Sequence, residues 1–217
     1  MNILHLVLGT KNDHYLPIED SARKTWAKDP PENIKTIFMY GGSQKIYWDN
    51  EDSFYVNREE SLDICAYKTI CAYETFLESD FDYIFRSNCT GYFDLNLISK
   101  FLEDKPLENF YCGCVGILNG IYFASGSGYF LSKDLVKKIV ENKSLLYGYQ
   151  FPGYHDDVII GKFITQHLNV NINPAARRID LPPDQVYDNL DMSHYHYRIL
   201  NSGSSQSLYK IHELKTK

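Results

Sequence analysis

The chain has 217 residues, 44% hydrophobic and 23% charged, which describes one domain large enough for its own core without disulfide or metal staples and excludes a mainly disordered chain. Its 22 Lys and Arg against 28 Asp and Glu leave a formal net charge of -6, so a broad phosphate-neutralising surface for nucleic acid is excluded while a local basic pocket is not. No run approaches the roughly 18 apolar residues of a membrane span, the start lacks a leader's basic flank and cleavage site, and the odd count of 5 Cys in no metal-finger spacing predicts reduced thiols and a cytoplasmic location.

Ile3–Leu8 is an apolar strand stopped by Gly9-Thr10. Residues 17–27 read as a helix with Pro17 in its first turn. Residues 36–40 form a second strand before Gly41-Gly42. The clearest helix covers residues 61–77, where Leu62, Ala66, Ile70, Tyr73 and Leu77 recur at steps of three and four. A strand over 82–86 and a short helix over Leu95–Leu102 follow, then strands over 110–115 and 121–124 around a Gly-containing turn. Ser132 suits the N-cap of a helix over Lys133–Glu141. Asp156-Asp157 open a further helix, with Ile159, Ile160, Phe163, Ile164 and Leu168 as its buried face. This alternation predicts an α/β layered domain over residues 1–200. Beyond Pro182-Pro183 the pattern is irregular; residues 201–217 read as a polar tail, mobile over 201–207, and the stretch after Asp191 is suited to act as a lid.

Four constellations carry chemistry. In Ser193-His194-Tyr195-His196-Tyr197-Arg198, an extended backbone puts His194, His196 and Arg198 on one face. That row suits an anion such as a diphosphate, with Arg as a fixed fork for phosphate oxygens. An amphipathic edge strand satisfies the same pattern, and a His-x-His metal site needs further ligands. In His155-Asp156-Asp157-Val158, one carboxylate can cap the helix while the other faces a cleft as general base, or both can simply complement the helix dipole. Ser125-Gly126-Ser127-Gly128-Tyr129 permits close backbone approach to a ligand, or makes a tight turn, and lacks the third glycine of the dinucleotide fingerprint. Asp80-Phe81-Asp82 is an Asp-x-Asp placed before its strand rather than at the strand's end, and reads as a solvated turn.

These pieces stand in a recognisable order. Arg23-Lys24-Thr25-Trp26, Lys68-Thr69, the gap-free segment 82–90, Ser125-Gly126-Ser127-Gly128-Tyr129-Phe130-Leu131-Ser132 and Asp156-Asp157-Val158 together resemble the β-1,3-galactosyltransferase and Fringe group of GT-A glycosyltransferases, over residues 3–170. The resemblance implies a single GT-A type Rossmann-like domain with a central mixed sheet flanked by helices. It also implies inverting transfer of a sugar from a nucleotide diphosphate sugar to a hydroxyl of a glycan or other acceptor, with Asp157 as the base beside Asp156.

One departure stands out. Where the group carries its metal-binding Asp-x-Asp, this chain has Asn88-Cys89-Thr90, with Arg86 just before. Two carboxylates facing a diphosphate without a metal would repel it by about 4 kcal/mol per charge pair at 4 Å in an effective dielectric near 20. Their loss removes that repulsion together with the best metal ligands. The expectation is therefore a site without a resident metal, in which Arg86, Arg198 and a protonated His194 or His196 neutralise the leaving diphosphate. Asn88 and Thr90 add hydrogen bonds, Gly126 and Gly128 permit close approach, Thr10 lies near the nucleoside by the open-sheet rule, and Arg23 joins through its helix motif. A weak manganese site at Asn88 and a His, or a non-catalytic sugar- or nucleotide-binding module, are the alternatives.

Overall fold

The computed structural model describes residues 1–149, 154–185, 187, 189–201 and 203–217. Its elements are β1 (Ile3–Leu8), α1 (Leu16–Lys24), β2 (Ile34–Tyr40), β3 (Tyr47–Trp48), β4 (Ser53–Tyr55), α2 (Cys65–Phe76), β5 (Tyr83–Asn88), β6 (Gly91–Phe93), α3 (Leu95–Leu102), β7 (Tyr111–Leu118), β8 (Ile121–Ser132), α4 (Lys133–Glu141), α5 (Lys143–Tyr147), α6 (Asp156–Lys162), β9 (Arg178–Leu181), β10 (His196–Ile199) and α7 (Ser205–Lys215). A 3₁₀ turn, Leu62–Ile64, leads into α2, and a π-helical turn, Phe163–His167, follows α6.

The continuous apolar run of β1 suits a strand covered on both faces. Its residues sort by alternation: Leu4 and Leu6 pack with Ile70, Tyr73, Ile159 and Ile160 on one side. Ile3 and Val7 pack with Ile18, Trp26, Phe85 and Leu208 on the other. The main sheet runs β3-β4-β2-β1-β5-β8-β7. β1 lies parallel to both β2 and β5, and β8 is antiparallel to β5 and β7. The chain builds to one side of β1 first and then returns to the other, so the winding reverses between β1 and β5. Ligands of open α/β sheets bind at the strand ends beside such a reversal. A second sheet, β6-β10-β9, begins there, because β6 starts soon after β5 ends.

The structure revises four local readings. Leu62 is 71% exposed rather than on the buried stripe, because the tighter 3₁₀ turn rotates it off the face that α2 continues. Gly126 and Gly128 do not end a strand. They lie inside the twelve-residue β8, which stays extended because β5 and β7 pair with it on both sides. Ser132 occupies the N-cap of α4 but makes no side-chain cap bond; its hydroxyl donates to Asp134 Oδ1 at 2.6 Å. The stretch read as a polar tail contains α7, capped by Ser204 and burying Leu208 and Ile211. Lys215 near its end donates to Asp94 Oδ2 at 2.8 Å and to the carbonyls of Met192 and His194 at 2.5 and 2.9 Å. α7 is thus a packed strap over the approach to β10; Ser202 lies outside the described residues. No described helix is long and apolar enough to cross a membrane.

Candidate active site

A cavity of about 740 Å³ opens where β1 and β5 end. The loop after β1 supplies Gly9, Thr10 and Lys11, and the start of α2 supplies Cys65 and Lys68. Asn88 ends β5 and Thr90 follows it, Ser125 to Ser127 come from β8, and the first turn of α6 and the end of β10 close the wall.

The adjacent carboxylates of α6 have separate partners. Asp156 is buried; its Oδ1 lies 2.6 Å from Arg86 Nη2, and its Oδ2 accepts from Thr69 Oγ1 at 3.0 Å. Asp157 lines the cavity, with Oδ2 accepting from Gly126 N at 2.7 Å and Oδ1 from Val158 N at 2.9 Å. Burial raises the Asp157 pKa, the charge of Asp156 raises it further, and Arg86 works against both. α6 comes this close to β8 because Gly161 has no side chain: a Cβ there would stand 2.2 Å from Phe123 Cβ.

The cations divide into spent and free. Arg86 is 2% exposed. Its Nη1 donates to the Gly126 carbonyl and to Asn88 Oδ1, and its Nη2 is taken by Asp156. Burial opposes its charge, but Asp156 holds it as a cation. Lys68, also buried, donates to the Gly9 carbonyl at 3.0 Å and to Glu60 Oε1 at 2.7 Å. Glu60 Oε2 accepts from Gly41 N, so this pair ties together the loops after β1 and β2. Arg198, by contrast, has a side chain 41% exposed and reaches Asp180 only at 3.7 Å. Asp180 is held more closely by Arg178 at 2.6 Å, whose Nη1 also donates to Ser127 Oγ at 2.7 Å. Lys11 stands 5.1 Å over the Tyr55 ring.

Solved glycosyltransferases share this architecture. Galactosyltransferase LgtC in complex with donor and acceptor sugar analogues matches at a TM-score of 0.56 and 11% identity, covering 100% of this chain and 97% of that one. A glycosyltransferase involved in the glycosylation of the major capsid of PBCV-1 matches at 0.54 and 11%, covering 99% and 100%. The chain has the GT-A glycosyltransferase fold. No protein-family model matches the sequence, and no curated protein does. At such identity the likeness is one of fold, and function must be argued from the site.

On this GT-A scaffold Thr10, Arg86, Asn88, Thr90, Gly126, Asp156, Asp157 and Arg198 border one cavity. Gly128 does not: a Cβ there would lie 2.9 Å from the His196 ring, so its role is packing. His196 is buried, and burial, then Arg178 and Arg198, hold its pKa well below the usual range. It is a neutral core histidine rather than a phosphate cation. His194 stands outside the cavity with Nδ1 3.2 Å from Asp191. The expected anion-binding row therefore brings only Arg198 to the cavity. Arg23 is also elsewhere, bonded to Asp52, to Tyr40 Oη at 2.9 Å and to Glu19 at 3.3 Å. Glu19 and Tyr40 back onto Gly9, so Arg23 supports the cavity floor from behind. Asp80 and Asp82 lie at the far end of β5, bonded to Asn2.

Sequence reading missed Lys11, Glu60 and Arg178 and left Lys68 without a role. A lysine spaced three or four residues from Cys65, Cys71 and Ala72 on a largely apolar helix is the one available signal, since such a charge needs a buried partner. Metal ligands fare poorly here. Among the described residues no three His, Cys, Asp or Glu side chains converge. Asn88 Oδ1 is engaged by Arg86, and burial pushes the Cys89 thiol up to about 12, away from the thiolate a metal requires. As placed, Asn88 and Cys89 are poor ligands for a divalent cation.

Proposed function

We propose that the protein is a glycosyltransferase that moves a sugar from a nucleotide diphosphate sugar to an acceptor hydroxyl with inversion, its own cations neutralising the leaving diphosphate. One observation carries this reading. Within the cavity, Lys68 is paired with Glu60 and Arg86 with Asp156, which leaves Lys11 and Arg198 with no carboxylate within 3.5 Å among the described residues and Asp157 as a carboxylate held only by peptide N–H groups and not by a cation. Two available cations and one available base are what the reaction needs.

The diphosphate lies toward Arg198 and Lys11, with Thr10, Asn88 and Thr90 as hydrogen-bonding groups beside it. Asp157 takes the proton of the acceptor hydroxyl. The oxygen attacks the anomeric carbon opposite the diphosphate, and the breaking bond's electron pair departs with the leaving group. Its growing charge is stabilised by fixed cations in a site sheltered from water. The raised Asp157 pKa makes a stronger base than an ordinary carboxylate. The order of sequence blocks resembling the Fringe group supports inversion; the poor metal-ligand set supports independence from manganese.

A thermal-shift screen of nucleotide sugars with and without manganese, followed by assay of released nucleoside diphosphate, tests the proposal. One donor is expected to raise the melting point without metal. Asp157→Asn is expected to lower transfer by roughly 10²–10⁴-fold while donor stabilisation persists. Full transfer by Asp157→Asn would remove the base, and sugar binding without any turnover would identify a binding module.

A further inference from the structure

We propose that Arg86 is a positioning residue for Asp157, acting through the backbone of Gly126 and the carboxylate of Asp156, and not a ligand of the donor. The inference rests on reading Asp157 as the base. Arg86 borders the cavity but is almost wholly buried, with one nitrogen on the Gly126 carbonyl and the other 2.6 Å from Asp156. The N–H of the same glycine donates to Asp157 Oδ2 at 2.7 Å. One residue's two backbone groups therefore connect the guanidinium to the reacting carboxylate. Position 126 must lack a side chain for this, because a Cβ would stand 2.9 Å from Asp157 Oδ2 and 3.0 Å from Arg86 Nη1. Thr69 of α2 holds the second oxygen of Asp156. The fork thus fastens α2, α6 and β8 to β5 at a single buried point.

A planar guanidinium holds the carbonyl and the carboxylate with two nitrogens set apart in a fixed fork; a lysine carries its three donors on one nitrogen, which cannot stand at both positions, so the Gly126 carbonyl and Asp156 must shift to reach it. The Gly126 peptide then turns, and Asp157 loses the donor that aims it. A displacement near 1 Å at a reacting group costs roughly 10²-fold in rate.

The test pairs kinetics with NMR on the full chain. Arg86→Lys is expected to lower kcat by roughly 10²-fold with the donor KM within about twofold of wild type. The double variant Arg86→Met with Asp156→Asn removes both buried charges together, which buried pairs tolerate far better than loss of one partner, and is expected to show the same split. In wild type the Gly126 amide resonance follows Asp157 ionisation, a titration absent in Asp157→Asn; in both Arg86 variants its amplitude is expected to collapse. An unchanged Gly126 titration in the variants, or a donor KM that rises as kcat falls, would overturn the proposal. The amide titration needs no turnover, so an inactive wild type would sink the transferase reading while leaving this link to be judged.

Discussion

Gly126 and Gly128 stand two residues apart on β8 and serve different ends. The first opens the backbone to Arg86 and Asp157; the second makes room for the His196 ring. Gly128→Ala is therefore expected to cost about 1–3 kcal/mol as an overpacked core, read by denaturant unfolding, while donor affinity stays near wild type; weakened donor binding at unchanged stability would place Gly128 in the cavity after all. The sequence shows both glycines and both aspartates but not their division of labour. Asp156 and Asp157 are adjacent, and what separates them is Arg86, seventy positions away, a partner that only the folded sheet supplies. His194, His196 and Arg198 show the same limit: period two predicts a shared face but says nothing about depth.

At the scale of elements, periodic segments were legible and punctuated ones less so. β1, α3 and α4 lie where their apolar spacing puts them. At the glycines of β8 local turn chemistry points to an end of the strand, and pairing with two neighbours overrides it. α7 follows a stretch of Ser, Asn and Gly that hides its start, although Leu208 and Ile211 sit three apart and bury against the far side of the sheet. The element that matters most for chemistry is α6, whose seat on β8 depends on Gly161 facing Phe123. Gly161→Ala is expected to lift α6 from β8, draw Asp157 off Gly126 and lower kcat by roughly 10²-fold with a lowered Tm. Unimpaired transfer in a folded variant would show that this close approach is not what places the base.

For the whole molecule, the α/β architecture is readable from alternation, whereas the small sheet that delivers Arg178, Asp180 and Arg198 is assembled from β6, β9 and β10, strands of three or four residues far apart in the chain, too short for a period to show that they pair. Two buried histidines give the fold a pH signature. Burial lowers His5 to about 3, with Ser87 Oγ 2.8 Å from its Nε2, and His196 is held well below its usual range. The folded state thus binds fewer protons than the unfolded chain once the pH drops below about 6.5. Stability is expected to be flat with respect to these groups above that value and to fall as pH decreases toward about 3, by up to about 1.4 kcal/mol per pH unit for each histidine. Urea unfolding at pH 7.5 and pH 5 measures it, and His5→Asn is expected to reduce the slope; equal midpoints at the two pH values would mean that neither ring is held neutral.

The account depends most on Arg198 and Lys11 receiving the diphosphate unaided. Calorimetric titration of the nucleoside diphosphate of the donor found in the screen, in excess chelator, measures this directly. We predict full-strength binding that weakens with salt, with Arg198→Ala losing at least about tenfold in affinity, or roughly 1.4 kcal/mol, while affinity for the bare nucleoside is retained. Binding that vanishes in chelator and returns with manganese, or that is indifferent to Arg198→Ala, would contradict it.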